Sequence, residues 1–229
     1  MATPSLGRGH VVRVSVLPVG VTAAPATQTI TLADAATKDT VAPASIAVPS
    51  LTGAIPANNY LTFLTPTGAE IIVFVTTAAA ASDTTLVVST IDQAIPIGSV
   101  AVFPPILDLR ESVDLNFSGS SEDYSTFESG IFQLSFLTSI AASATAPGFY
   151  NFFGAGYRNA EFAALNGLSV WFSVTAPPPS AAYSSGRIVA GPAFVLGVPL
   201  AIPATGALRS DIEITFSAAP TIIEPVATA

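Results

Sequence analysis

Short runs of strictly alternating side chains decide what this chain can become. In SDIEITFSAAP (210–220), Ile212, Ile214 and Phe216 fall on one side, and Asp211, Glu213, Thr215 and Ser217 on the other. A period of two marks a β-strand with one face buried and the other wet. The texture recurs in GHVVRVSVLPV (9–19), with His10, Val12, Val14 and Val16 on one face, and in TQTITLAD (27–34). In VDLNFSGS (113–120), Val113, Leu115 and Phe117 oppose Asp114, Asn116 and Ser118. In GLSVWFSVTA (167–176), Leu168, Val170, Phe172 and Val174 oppose Trp171. SGIFQLSFLTSI (129–140) and RIVAGPAFVLGVPLAI (187–202) supply further strands. Between 51 and 103, NYLTFLT, AEIIVFVTT, TTLVVSTI and SVAVF follow one another, separated by PTG, AAAASD and IPIG, which carry turn chemistry.

One segment has helical spacing. In PGFYNFFGAGYRNAEFAALNG (147–167), Phe149, Phe153, Tyr157, Ala160 and Ala164 share a face. Gly154 and Gly156 weaken its first half, so the expected N-cap of the firm part is Asn159, and Gly167 is the expected stop. PPILDLRE (104–111) reads as a junction, SSEDYSTFES (120–129) as a solvated loop and PATG (203–206) as a turn. The expected fold is all-β with one helix: a β-sandwich or barrel of two packed antiparallel sheets with a flanking helix. Residues 1–20 and 107–220 would form that core, residues 21–106 an inserted β-rich module, and residues 221–229 a loose tail.

Composition enters through what it removes. Charged residues are 10% of the 229, against about 25% in ordinary soluble domains. Mean hydropathy is +0.62, yet IIVFVTTAAAAS (71–82) and AIPIGSVAVFPPIL (94–107) are too short and too interrupted for a spanning helix. Arg8, His10 and Arg13 interrupt any signal-peptide pattern, so a soluble, unexported chain is expected, without membrane insertion. So uncharged a surface points to burial between subunits, because obligate interfaces are depleted of charge. The net charge is −8, and no basic stripe is present to hold nucleic acid.

Recognisable reaction chemistry is missing. With no cysteine and one histidine, thiolate sites and disulfides are excluded and a Ser-His-Asp set would depend on His10, without a G-x-S-x-G elbow. No metal-ligand spacing occurs, and Glu122 and Asp123, as adjacent residues, point apart. GAGYRN (154–159) is neither a dinucleotide fingerprint nor a P-loop, and NFS (116–118) is a sequon by coincidence in an unexported chain. No cofactor, metal or enzymatic activity is expected.

The order of pieces resembles a known family. A helix, a strand, a proline-rich loop, GPAFV (191–195), PATG (203–206) and SDIEITFSAAP (210–220) resemble the C-terminal half of the tail tube proteins of tailed bacteriophages. VDLNFSGSSEDYSTFESG (113–130) is similar to that family's earlier strand and acidic loop, and GRGHVVRVSVLPVG (7–20) to its opening. The 51–103 module resembles a β insertion of some phage virion proteins. SAAP (217–220) departs from the glycine-rich end that often closes the family's last strand.

The resemblance implies hexameric rings stacked into a hollow tube, a conduit for genomic DNA that passes without specific binding. The implied partners are other copies of the chain, then sheath, tail terminator and baseplate proteins; the implied place is the virion tail, after synthesis in the host cytoplasm. The wet strand faces are then expected in a lumen or between subunits. Asp114, Asn116, Ser118, Glu213 and Thr215 are the lumen candidates; Trp171, Arg110 and Arg209 are the inter-subunit candidates. Trp171 could equally cover the helix inside the fold. Alternative readings are a capsid decoration or cement protein and a carbohydrate-binding β-sandwich module, the latter disfavoured by a single tryptophan.

Overall fold

A computed structural model describes residues 10–108, 110–124, 134–151, 154–201 and 208–227. The chain is all-β with one helix, in two antiparallel sheets, one of them a curled half-barrel. The strands are β1 (Val11–Val16), β2 (Gln28–Thr31), β3 (Ala44–Ala47), β4 (Asn59–Leu64), β5 (Glu70–Val75), β6 (Thr85–Val88), β7 (Val100–Phe103), β8 (Asp114–Tyr124) and β9 (Leu134–Ala146). Helix α1 (Ala155–Asn166) follows, then β10 (Ser169–Thr175), β11 (Ile188–Gly197), β12 (Leu200–Ala201), β13 (Arg209–Ser210), β14 (Ile212–Phe216) and β15 (Thr221–Ile223).

The larger sheet runs β1-β10-β11-β14-β9-β8, with β15 also on β11; the other runs β2-β7-β4-β5-β6-β3. β12 and β13 pair separately. Each large sheet has its own core, because alternation delivers one apolar face per strand. Ile46, Leu61, Phe63, Val75, Leu86 and Phe103 are among those filling the module. Val14, Phe172, Ala193, Ile214 and Phe216 line the inner face of the larger sheet, where Tyr157, Ala160 and Ala163 of α1 pack. The expected faces of 211–217 hold: Ile212, Ile214 and Phe216 are buried, while Asp211, Glu213 and Ser217 are exposed and Thr215 half-buried.

The helix differs from expectation at its start. Its N-cap is Gly154, and it ends at Gly167, whose φ of 62° supplies the left-handed stop. Asn159 lies inside α1 and is fully buried, so it caps nothing. Gly156 permits a close approach instead: a Cβ there would lie 2.5 Å from the Ile106 carbonyl oxygen. Ser121–Tyr124, expected in a loop, continue β8, whereas residues 125–129 lie outside the described residues. So does the PATG turn. The loose tail expected from 221 is also corrected. β15 pairs with Ile188–Ala190 of β11, and the Ser184 amide donates to the Val226 carbonyl.

Helix α1 also joins the two cores. Its Asn159 Oδ1 accepts the Tyr60 amide at 2.6 Å, and its Nδ2 donates to the Val14 carbonyl at 3.3 Å. A second buried amide, Asn59, exchanges two hydrogen bonds with the backbone of Val16, at 2.9 and 3.0 Å. The Ala155 amide donates to Thr62 Oγ1, and Phe162 meets the Phe74 ring at 5.3 Å. The link after β7 then passes beside β1, where the Val14 amide donates to the Pro105 carbonyl and the Leu107 amide to the Val12 carbonyl.

Candidate interaction face

The alternation that buries Ile212 and Ile214 sends their neighbours to the outer face of the larger sheet, away from α1. Register then sorts those neighbours into rows. Glu213 of β14 lies opposite Thr145 of β9, and Thr145 opposite Asp114 of β8. One row along, Phe194 of β11 is opposite Thr215, Thr215 opposite Ser143, and Ser143 opposite Asn116. Ser118 follows on the same side of β8, opposite Ala141. The five lumen candidates, scattered over a hundred positions of sequence, thus share one face of one sheet.

The face is wet, weakly acidic and not wholly polar. Asp114, Asn116, Ser118 and Glu213 are exposed, and neither acid makes an ion pair among the described residues. Beside them on β11, Phe194 is 44% and Leu196 66% exposed, a pair of apolar side chains on the same outer side. Trp171 occupies this face farther along, opposite Ser15 of β1 and Pro192 of β11. It therefore does not cover the helix, which packs under the other side of β10.

The two arginines take other places. Arg110 is buried and turned into its own chain. Its guanidinium donates to the carbonyls of Asp108, Ala146, Ser210 and Phe149. Ala146 ends β9, Ser210 ends β13, and Asp108 and Phe149 lie outside the strands; one planar fork collects all four carbonyls. Within one copy, Arg110, an inter-subunit candidate from the sequence, is engaged by carbonyls of its own chain. Arg209 stays half-exposed, pairs with Glu111 of its own chain and lies 5.6 Å from the Phe149 ring.

No protein-family model matches the chain, and no curated protein matches it. The face has to be judged on its own geometry.

Its most unusual part is the β8–β9 hairpin. β14 pairs with β9 only over Ser143–Ala146, whereas β8 pairs with β9 from Asp114–Thr145 out to Tyr124–Leu134. Among the described residues the hairpin beyond Ser143 is therefore a two-stranded ribbon, and β8 has a neighbour on one edge only. On the inner side of that ribbon Phe117 is 49% exposed. Among the described residues, no three His, Asp or Glu side chains group as metal ligands, and no helix is long and apolar enough to cross a membrane.

Sequence reasoning missed Phe194 and Leu196 as exposed residues of this face. Their run, GPAFVLGV (191–198), reads as a continuous apolar stretch, and only pairing with β14 reveals which side chains leave the core.

Proposed function

We propose that the chain is a structural protein that assembles with copies of itself into rings, and that such rings stack into the tail tube of a bacteriophage. The β8–β9 ribbon carries this reading. An isolated two-stranded ribbon is marginal in water and needs a third strand or a packed face. Here it extends past its own sheet with an unpaired edge on β8 and a half-exposed Phe117. A neighbouring copy placed against it would supply both the missing packing and the missing edge partner. The scarcity of charge, 10% of residues, supports the same conclusion. In the tube, the outer-face rows of Asp114, Asn116, Ser118, Glu213 and Thr215 line the lumen, where negative charge keeps the duplex from being held by phosphate contacts.

Sedimentation velocity across a wide concentration range, with negative-stain microscopy of the full chain, tests the reading. Rings or tubes are expected. Phe117→Lys should shift the chain toward monomers, while at dilution, where both chains are monomeric, its thermal midpoint should stay within about a degree or two of the wild type. A wild-type chain that stays monomeric throughout refutes the proposal. Asp114→Lys with Glu213→Lys separates the two uses of the face. Tubes that still form but retain DNA support a lumen; loss of tubes moves those acids to a subunit contact.

A further inference from the structure

A cavity of about 230 Å³ opens where the module meets the N-terminus of α1. Its walls are mainly apolar, from Leu64, Val100, Val102 and Ile106, and its lining also holds two carboxylates, Glu70 and Asp108. Drug-sized ligands occupy pockets of roughly 300–1,000 Å³, so this one suits a smaller, slender molecule.

Neither carboxylate is in an ion pair among the described residues. Asp108 Oδ2 accepts a hydrogen bond from Asn151 Nδ2 at 2.7 Å, but its Oδ1 is buried with no hydrogen-bond partner. Gly154 packs closely against that oxygen: a Cβ there would lie 2.9 Å from it. Arg110 is near, yet its N–H groups go to four backbone carbonyls, including that of Asp108 itself. Burial raises the pKa of both groups, and Asp108 raises that of Glu70 further, as two acids sharing one site do.

We propose that this cavity binds an aliphatic primary ammonium group, its carbon chain on the Leu64, Val100, Val102 and Ile106 wall and its –NH₃⁺ on Asp108 and Glu70. The class follows from the lining. A compact ammonium carries three donors, and Asp108 Oδ1 is an unused acceptor. The methylenes of such a chain cover apolar surface while the charged head stays at the polar end, as lysine side chains do at protein surfaces. An anion meets two negative groups here, and a neutral alcohol cannot balance them.

The test is titration of the full chain with hexylamine, 1-hexanol and hexanoate, followed by amide chemical shifts. Hexylamine should saturate, with shifts at Glu70, Val102 and Ala155, and should bind at least tenfold more tightly than hexanol or hexanoate. Glu70→Gln, on the cavity rim, should weaken hexylamine several-fold, and Asp108→Asn tenfold or more, with circular dichroism unchanged. Hexanol binding as tightly as hexylamine, shifts elsewhere, or affinity unchanged in both variants overturns the proposal. A second arm finds the natural source of the ammonium group. The chain's single lysine, Lys38, is exposed. If assembled protein excludes hexylamine and assembled Lys38→Ala protein admits it, Lys38 of a second copy fills the cavity; if both admit it, the ligand is a free amine.

Discussion

Asn159→Ala removes a side chain that bonds the helix to both cores. Its Oδ1 is the acceptor of the Tyr60 amide at 2.6 Å, and its Nδ2 reaches the Val14 and Tyr60 carbonyls at 3.3 and 3.4 Å. An orphaned buried donor costs about 1–3 kcal/mol. The two carbonyls lose only long hydrogen bonds and add about 1 kcal/mol together. Alanine is a better helix former than asparagine, which returns about 0.5 kcal/mol. The net expectation is about 1.5–3.5 kcal/mol of lost stability, read as a lower urea midpoint at dilution. Asn159→Asp should not rescue, since a carboxylate keeps the acceptor for Tyr60 but loses the donor and adds a buried charge. Asn166→Ala is the control: its exposed Nδ2 donates only to the Phe162 carbonyl at 2.8 Å, and about 0.5 kcal/mol or less is expected. An Asn159→Ala midpoint equal to that of Asn166→Ala would refute a bridging role for the buried amide.

Two further outcomes follow from the cores and the cavity. Phe216, buried on β14 and 5.9 Å from the Phe172 ring, should cost about 3–5 kcal/mol on truncation to alanine; an unchanged melting temperature would reverse the assigned faces. Burial holds the Asp108 carboxyl above its ordinary 3.8, against opposing pulls from Asn151 and Arg110, and Glu70 faces it with a carboxyl raised from 4.5. The folded chain then keeps protons that the unfolded chain has released, so stability should fall as pH rises from about 4 through the raised folded-state values. Asp108→Asn should flatten that decline, and an unchanged slope in urea midpoints against pH would refute the assignment.

Local rules read the strands well because a period of two is a local property. Val12, Val14 and Val16, and Val170, Phe172 and Val174, all face inward as their spacing required. Where a residue answers to something distant, the same rules fail. Asn159 has the chemistry of a cap, and its partners Tyr60 and Val14 lie 99 and 145 positions away. Gly156 looks like a weak helical residue until Ile106 is placed beside it. Arg110 reads as surface charge, because no pattern announces that the carbonyls of Ala146 and Ser210 converge on it. The acid pair of the cavity, Glu70 on β5 and Asp108 after β7, comes from segments apart in sequence that line one cavity with Gly154 and Ala155 at the start of α1. For the outer face, each strand's polar side was legible, but its rows depend on the order β11-β14-β9-β8, which joins strands far apart in sequence.

The acidic row on that face is not a stability device. Asp114 and Glu213 are separated by β9, two strand spacings or about 10 Å. In water two like charges at that distance repel by about 0.4 kcal/mol, and at physiological salt the separation already exceeds the screening length of about 8 Å. Arg209 is engaged by Glu111, and among the described residues neither Asp114 nor Glu213 makes an ion pair. Replacing either acid should therefore change the folding of one copy very little. Phe194 and Leu196, beside them and exposed, likewise hold nothing together in a single copy. In the proposed ring, repetition would multiply this charge without changing the strand that carries it.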